Sequence, residues 1–305
     1  MGYSARYHAA SLAAVFLALA IGILIGSQFG GDVLNSTRQD LEKSLTKDLD
    51  AARSQVDDLD REIGWSEDFG NTVYPLLVNS RLAGHRVGLV GFGELPSDVT
   101  DAVERSIQPS GAELVAVGAV RQPPSLTDLA DALEGTRFMG IDEDQEQVSA
   151  YGRTIGRQLV NGGRILSQTR SELMSQSSGQ FNGLDGLIIY RRGGAELDAA
   201  DAELAEQLDR AIVEGATSTR SRVIGVETLD EDPSTIGFFR DRNLTTVDNV
   251  DSPAGKISLI YSLAGAEGSF GVKDGSSRML PELLQPVDAA APRGSTTGRS
   301  DGKQG

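Results

Sequence analysis

Two glycines at the end of a short apolar run could form a phosphate-binding turn. Gly91 and Gly93 stand where the glycine loop of a dinucleotide-binding unit would lie. That fingerprint requires a third glycine where this chain has Pro96, and an acidic residue after the second strand, which here continues into Gly-Ala-Val at residues 118–120. Because two required features are missing, the favoured interpretation is a tight turn that uses the conformational freedom of glycine. Gly91 and Gly93 are therefore retained only as a candidate ligand loop.

A second candidate ligand loop is the most distinctive polar stretch, TTVDNVDSPAGK at residues 245–256. It follows a predicted strand and precedes a predicted helix, which is where open α/β sheets place ligand-binding loops. Asp248 and Asp251 are the side chains of this stretch that could contact a ligand. A capped helix start explains the same residues at least as well.

Other residues that could carry chemistry are few. The chain has no cysteine and two histidines, His8 and His85, which we expect on opposite sides of a membrane. Its four methionines form no M-x-M or M-x-x-M cluster, so ligands that soft metals prefer are scarce. Acidic runs at 142–144 and 230–232 are more typical of helix starts or solvated loops than of cation sites. There is also no G-x-S-x-G motif, so the sequence predicts a protein that is not an enzyme and holds no cofactor or resident metal.

The only long apolar segment lies near the N-terminus. Residues 9–29 carry no charge and, at about 1.5 Å per residue, would span roughly 30 Å, one hydrocarbon core. A cleaved signal peptide is the alternative, because residues 18–20, Ala-Leu-Ala, have the small-x-small pattern of a cleavage site. The apolar run continues past that site through Ile25, which favours an uncleaved transmembrane helix over residues 9–30.

Small residues recur every fourth position along this segment and share one helix face. They are Ala10, Ala14, Ala18, Gly22, Gly26 and Gly30. Small residues at this spacing let two helix backbones approach closely in lipid. The stripe therefore predicts a helix-pairing interface, although glycine and alanine are common in membrane helices in any case.

The charged segment that follows has a heptad pattern of apolar residues. The predicted seam consists of Leu45, Leu49, Ala52, Val56, Leu59 and Ile63. This alternation of four and three residues predicts a parallel coiled coil within residues 31–72, and an amphipathic helix packed on its own domain is the alternative. We expect any helical continuation to break near Pro75.

The charged residues limit the choice of partners and bear on the orientation of the chain in the membrane. The chain has 44 acidic and 28 basic residues, a net charge of −16, which argues against nucleic acid as a partner. Arg6 precedes the apolar segment, whereas Arg38, Lys43 and Lys47 follow it, so the positive-inside rule alone does not determine the orientation. Long domains cross membranes largely regardless of charge, so a cytoplasmic N-terminus over residues 1–8 with the bulk outside is consistent.

The remainder of the chain alternates between predicted strands and predicted helices. Strands are predicted at 86–91, 113–117, 187–190, 222–226 and 245–247. Helices are predicted between and after them, beginning near Ser97, Leu126, Asp142, Asp198, Pro233 and Lys256. This order predicts an α/β fold with a mainly parallel, Rossmann-like sheet over residues 84–285, and a disordered tail over 286–305. Residues 164–183 show no clear pattern.

Three segments resemble the actinobacterial copper transport protein MctB family. They are HAASLAAVFLALAIGILIGS at residues 8–27 with the heptads that follow it, the strand at Val87, and residues 246–256. The resemblance implies a single-span envelope protein with a coiled coil, a Rossmann-like extracytoplasmic domain and a role in copper export or homeostasis. Some members are similar to envelope proteins that act in cell separation together with a cytoplasmic partner. No copper ligand follows from the resemblance.

Two functional hypotheses follow. The first is a copper-export or copper-homeostasis protein of the cell membrane, as the family implies. The second is a non-enzymatic, dimeric transmembrane scaffold that links cytoplasmic and envelope proteins. Both predict a single membrane span and a homodimer or higher oligomer.

Overall fold

The computed structural model describes residues 5–193 and 197–282, with side chains for the same residues except 5–9 and 28–40. The tail predicted as disordered, 286–305, lies outside the described residues. The chain divides into two units, residues 1–66 and 67–305. In the first unit every described residue is helical.

The first helix, α1, runs from Ala5 to Val78. It therefore continues through Pro75 and ends shortly after it, so the break expected near Pro75 is displaced to Val78. Proline has no N–H, so the helix lacks the hydrogen bond that residue 75 would otherwise donate to the Asn71 carbonyl, and α1 ends three residues later. Tyr74 and Val78 on either side of Pro75 are buried in the core of the second unit, which holds this last turn in place.

The second unit is built on one seven-stranded sheet with the order β3-β2-β1-β4-β5-β6-β7. The strands are β1 Arg86–Phe92, β2 Glu113–Val120, β3 Met174–Gly179, β4 Gly186–Arg191, β5 Arg222–Val226, β6 Thr245–Val247 and β7 Ser269–Phe270. Every neighbouring pair is parallel except β2 and β3. The predicted α/β class with a mostly parallel sheet is confirmed.

Seven helices follow α1 in the described residues. They are α2 Ser97–Ile107, α3 Leu126–Ala132, α4 Gln145–Asn161, α5 Arg164–Leu173, α6 Ala199–Thr217, α7 Ile236–Arg240 and α8 Pro253–Leu263. The predicted cap of α6 is confirmed, because the Asp198 carboxylate accepts hydrogen bonds from the N–H groups of Ala200 and Asp201. Helix α7 begins at Ile236 rather than Pro233, and α8 begins at Pro253, before the expected Lys256.

Side chains of each central strand alternate between two cores. In β1, Val90 and Phe92 belong to one buried cluster, while Val87 and Leu89 belong to another on the opposite face. The first cluster includes residues from α3 to α6, and the second includes residues from α2, α8 and the end of α1. Helices thus cover both faces, as a buried parallel sheet requires.

The segment without a clear pattern, 164–183, forms helix α5 and the antiparallel edge strand β3. Strand β3 is exposed after Met174, so it lacks the apolar alternation by which strands are identified. The two-residue strand β7 was not predicted either, because so short a segment carries no periodicity.

Candidate functional site

The membrane-facing candidate is the apolar part of α1. Ala10–Ser27 is the described stretch that is long and apolar enough to cross a membrane, and none of it is buried. Within it, Ala10, Ala14, Ala18, Gly22 and Gly26 are exposed. A Cβ added to Gly22 or Gly26 would meet no atom within 4 Å. Gly30 lies in the same helix, but its surroundings are outside the described side chains.

The predicted coiled-coil seam is also an exposed stripe in this structure. Its five larger members are Leu45, Leu49, Val56, Leu59 and Ile63, and each is between 49% and 60% exposed. Ala52 is exposed as well. A regular apolar stripe in contact with water is costly at roughly 25 cal/mol per Å² of apolar surface, so burial against another surface would be favourable.

The first candidate ligand loop lies at the carboxyl end of β1. Gly91 is the second-to-last residue of that strand, and a Cβ there would come within 2.8 Å of the Leu95 side chain. Gly93 has φ +82°, and its N–H donates to the Val120 carbonyl oxygen at 2.9 Å. The position requires glycine because φ is positive and because a Cβ would come within 2.8 Å of Gln122 Oε1. The tight-turn interpretation therefore accounts for the backbone here.

Near this turn, four arginines form a cluster that the sequence analysis did not identify. We call Arg191, Arg192, Arg210 and Arg242 the arginine cluster. Three of its guanidinium groups share the Glu206 carboxylate, at 3.4 Å from Arg191, 3.5 Å from Arg210 and 3.6 Å from Arg242. Arg192 lies 3.8 Å from Glu94.

The ring of Phe238 contacts two of these guanidinium groups. The Arg191 Cζ is 4.5 Å and the Arg242 Cζ 3.9 Å from the ring centroid, both within cation–π distance. The Nε and Nη2 of Arg191 also donate hydrogen bonds, to Asp209 at 3.3 Å and to Glu206 at 3.4 Å, so this guanidinium is held from several sides.

Asp209 of α6 has a fully buried carboxylate that holds Arg191 of the arginine cluster in place. Its Oδ2 accepts hydrogen bonds from Gln122 Nε2 at 2.7 Å and from Arg191 Nε at 3.3 Å, whereas Oδ1 has no partner. Burial raises the pKa of Asp209 from 3.8 to about 7, and the adjacent Arg191 limits that rise. The charge of this group therefore changes near neutral pH.

The second candidate ligand loop lies at the carboxyl end of β6. The buried Asp248 carboxylate accepts hydrogen bonds from the N–H groups of Val272 at 2.8 Å and Lys273 at 3.0 Å, and from the Ser276 hydroxyl. Asp251 accepts from the N–H of Leu229 at 3.1 Å. Both aspartates hold neighbouring loops in place. That they also bind a ligand stays a prediction.

The two predicted loops are not neighbours in the sheet, because β4 and β5 lie between β1 and β6. The first loop is instead brought to the arginine cluster: the Cβ position of Gly93 would be 4.0 Å from Arg192 Cβ. Two sequence signals could have indicated the cluster. Arg191 ends a buried strand and Arg192 follows it, and Asp209 lies in the apolar stripe of α6 between Leu208 and Ile212.

No group of three or more His, Cys, Asp or Glu side chains that could hold a metal ion occurs among the described residues. His85 lies in the turn before β1, and the side chain of His8 is outside the described part.

An N-terminal helix that is long and apolar enough to cross a membrane, joined to a mostly parallel α/β unit, indicates a single-pass membrane protein. The family described as "Copper transport outer membrane protein, MctB" matches residues 3–281, and the chain belongs to it. The chain is 23% identical over 312 residues to the copper transporter MctB of Mycobacterium tuberculosis (strain CDC 1551 / Oshkosh), covering 90% of this chain and 97% of that protein. It is 25% identical over 318 residues to the copper transporter MctB of Mycobacterium leprae (strain TN), covering 90% and 98%.

Proposed function

We propose that this protein is a non-enzymatic, membrane-anchored envelope protein that acts in copper export or copper homeostasis. Family membership over nearly the whole chain carries this proposal, and curated relatives of similar length are named copper transporters. The anchor lies in the cell membrane, with residues 1–8 in the cytoplasm and the sheet unit outside.

The protein acts as a homodimer or a higher homo-oligomer. Two independent features of α1 support self-association: small residues leave one face of the apolar stretch open at Gly22 and Gly26, and the heptad seam is exposed. A second copy of the chain complements both features, since identical stripes meet in a parallel pair. The seam therefore forms a parallel coiled coil.

The sheet unit is Rossmann-like in its general design. The parallel strands run in the order β2-β1-β4-β5-β6-β7. After β1 the chain adds β2 on one side of it, and later adds β4 to β7 on the other side. This reversal creates a crevice at the carboxyl ends of β1 and β4, the usual ligand position in open α/β sheets.

A transmembrane scaffold is the second candidate function. One observation favours it: the described residues contain no group of three or more His, Cys, Asp or Glu side chains that could hold a metal ion. A single uncharged span also gives an ion no polar path, so copper would have to pass between several assembled chains or through a partner protein. A scaffold requires only the pairing surfaces and an envelope partner.

Cell-associated copper in a strain that lacks the gene distinguishes the two functions. We expect copper accumulation and copper-sensitive growth, restored by the intact gene but not by the pairing variant Gly22→Leu/Gly26→Leu. Ala13→Leu/Ala20→Leu is the matched control, because it adds similar bulk on the opposite face of the helix, and it should restore both. Normal copper with altered cell shape or separation would refute the copper role and support the scaffold.

A further inference from the structure

A cavity of about 290 Å³ opens beside the arginine cluster, among the segments that follow β2, β4 and β5. Its lining includes Gln122, Arg191, Arg192, Glu206, Thr235 and Phe238. It lies beside the crevice at the carboxyl ends of β1 and β4, where the chain reverses direction in the sheet. We propose that this cavity binds a small ligand through an oxyanion group, either a phosphate or a carboxylate.

The lining presents guanidinium groups, which are the side chains best suited to oxyanions. Arginine donates two parallel N–H groups to phosphate or carboxylate oxygens. Arg191 uses Nε for Asp209 and Nη2 for Glu206, so its guanidinium plane is held in place. Arg192 has one ion-pair partner among the described residues, Glu94 at the long distance of 3.8 Å, so its donors can turn to a ligand.

The local charge also favours an anion. The four guanidinium groups of the arginine cluster meet three carboxylates, those of Glu94, Glu206 and Asp209. Because Asp209 is fully buried and has a pKa of about 7, it neutralises the cluster only in part at neutral pH. Of the charged side chains that line the cavity, two are cationic, Arg191 and Arg192, and one is anionic, Glu206, so the lining is net positive in a chain whose net charge is −16.

Two buried polar atoms behind the lining lack partners. Asp209 Oδ1 and Arg242 Nε make no hydrogen bond, although buried polar groups are normally paired. Both belong to the network that orients Arg191 and Phe238.

The shape of the cavity limits the ligand. Its volume is at the lower end of the range for small-molecule sites, roughly 300–1,000 Å³. The turn at Gly93 leaves room at the end of β1, since any side chain there would collide with Gln122. Phe238 supplies one apolar wall. These features fit a compact anion or the anionic end of a small metabolite.

Binding of inorganic phosphate and of succinate to the full chain in detergent micelles tests the proposal. Isothermal titration calorimetry should show saturable binding of at least one of them, with sodium chloride at equal ionic strength as the blank. Arg192→Gln should weaken that binding at least about tenfold, because a charge-assisted hydrogen bond is lost. Its near-ultraviolet circular dichroism should stay unchanged, since Arg192 is half exposed and pairs only with Glu94 among the described residues.

Arg210→Gln is the matched control. It removes the same charge from the arginine cluster, but Arg210 does not line this cavity. It should keep most of the affinity. The absence of saturable binding of both anions at millimolar concentration would overturn the proposal. Equal weakening in the two variants would overturn it as well, because the effect would then be general charge attraction.

Discussion

Replacing the buried Asp209 by asparagine should remove a large part of the pH dependence of folding stability. The variant is nearly the same size and keeps the observed contacts, because the asparagine oxygen can occupy the place of Oδ2. There it accepts from Gln122 and from Arg191, as the carboxylate does. The amide nitrogen then takes the place of Oδ1, which has no partner to lose.

The size and the sign of this change in folding stability follow from the raised pKa of Asp209. Burial raises the pKa of Asp209 from 3.8 to about 7, so between these values the folded state binds a proton that the unfolded state releases. The favourable contribution is fully present below about pH 4 and is lost as pH rises through about 7. About three pKa units correspond to on the order of 4 kcal/mol. The side chain of Asp209→Asn cannot titrate, so the substituted chain should lack this loss.

Thermal unfolding of the full chain in detergent measures the effect. Near-ultraviolet circular dichroism of the buried Tyr74, Tyr151 and Tyr190 reports on the sheet unit. Each 1 kcal/mol shifts Tm by roughly 2–4 °C in a domain of this size, so the wild-type Tm should fall by about 5–10 °C between about pH 5 and 8 relative to Asp209→Asn. Glu203→Gln, at an exposed position of the same helix, should behave as wild type. Parallel curves for wild type and Asp209→Asn would refute the reasoning.

Two further predictions concern the pairing seam and the helix packing. Because the chain has no cysteine, Ala52→Cys should form an intermolecular disulfide under mild oxidation, and Ala51→Cys, off the seam, should form much less; equal yields on non-reducing gels would contradict a parallel seam. Gly156→Ala should destabilise the sheet unit by about 1–3 kcal/mol in thermal unfolding, because its Cβ would lie 2.0 Å from the Ile212 carbonyl oxygen. Gly237→Ala, which has open space, should change stability by less than about 1 kcal/mol.

The central elements of the fold were predictable from the sequence. Strands β1, β4 and β5 are continuous apolar runs such as Leu187–Tyr190, which a sheet buried on both faces selects. Helix α6 carries its own start signal in Asp198. The edge of the sheet was not predictable, because β3 has polar residues on both faces and owes its existence to pairing with β2.

The functional features also divide into those that the sequence predicted and those that depend on the tertiary structure. The sequence by itself determined the apolar span, the small-residue stripe and the heptad seam, because helical periodicity depends only on neighbours within a few residues. Only the tertiary structure decided that Gly93, Gln122, Arg192 and Asp209 meet at one crevice. These residues come from different strands and helices, and their contacts arise from the parallel order of β2, β1 and β4, which no local pattern encodes.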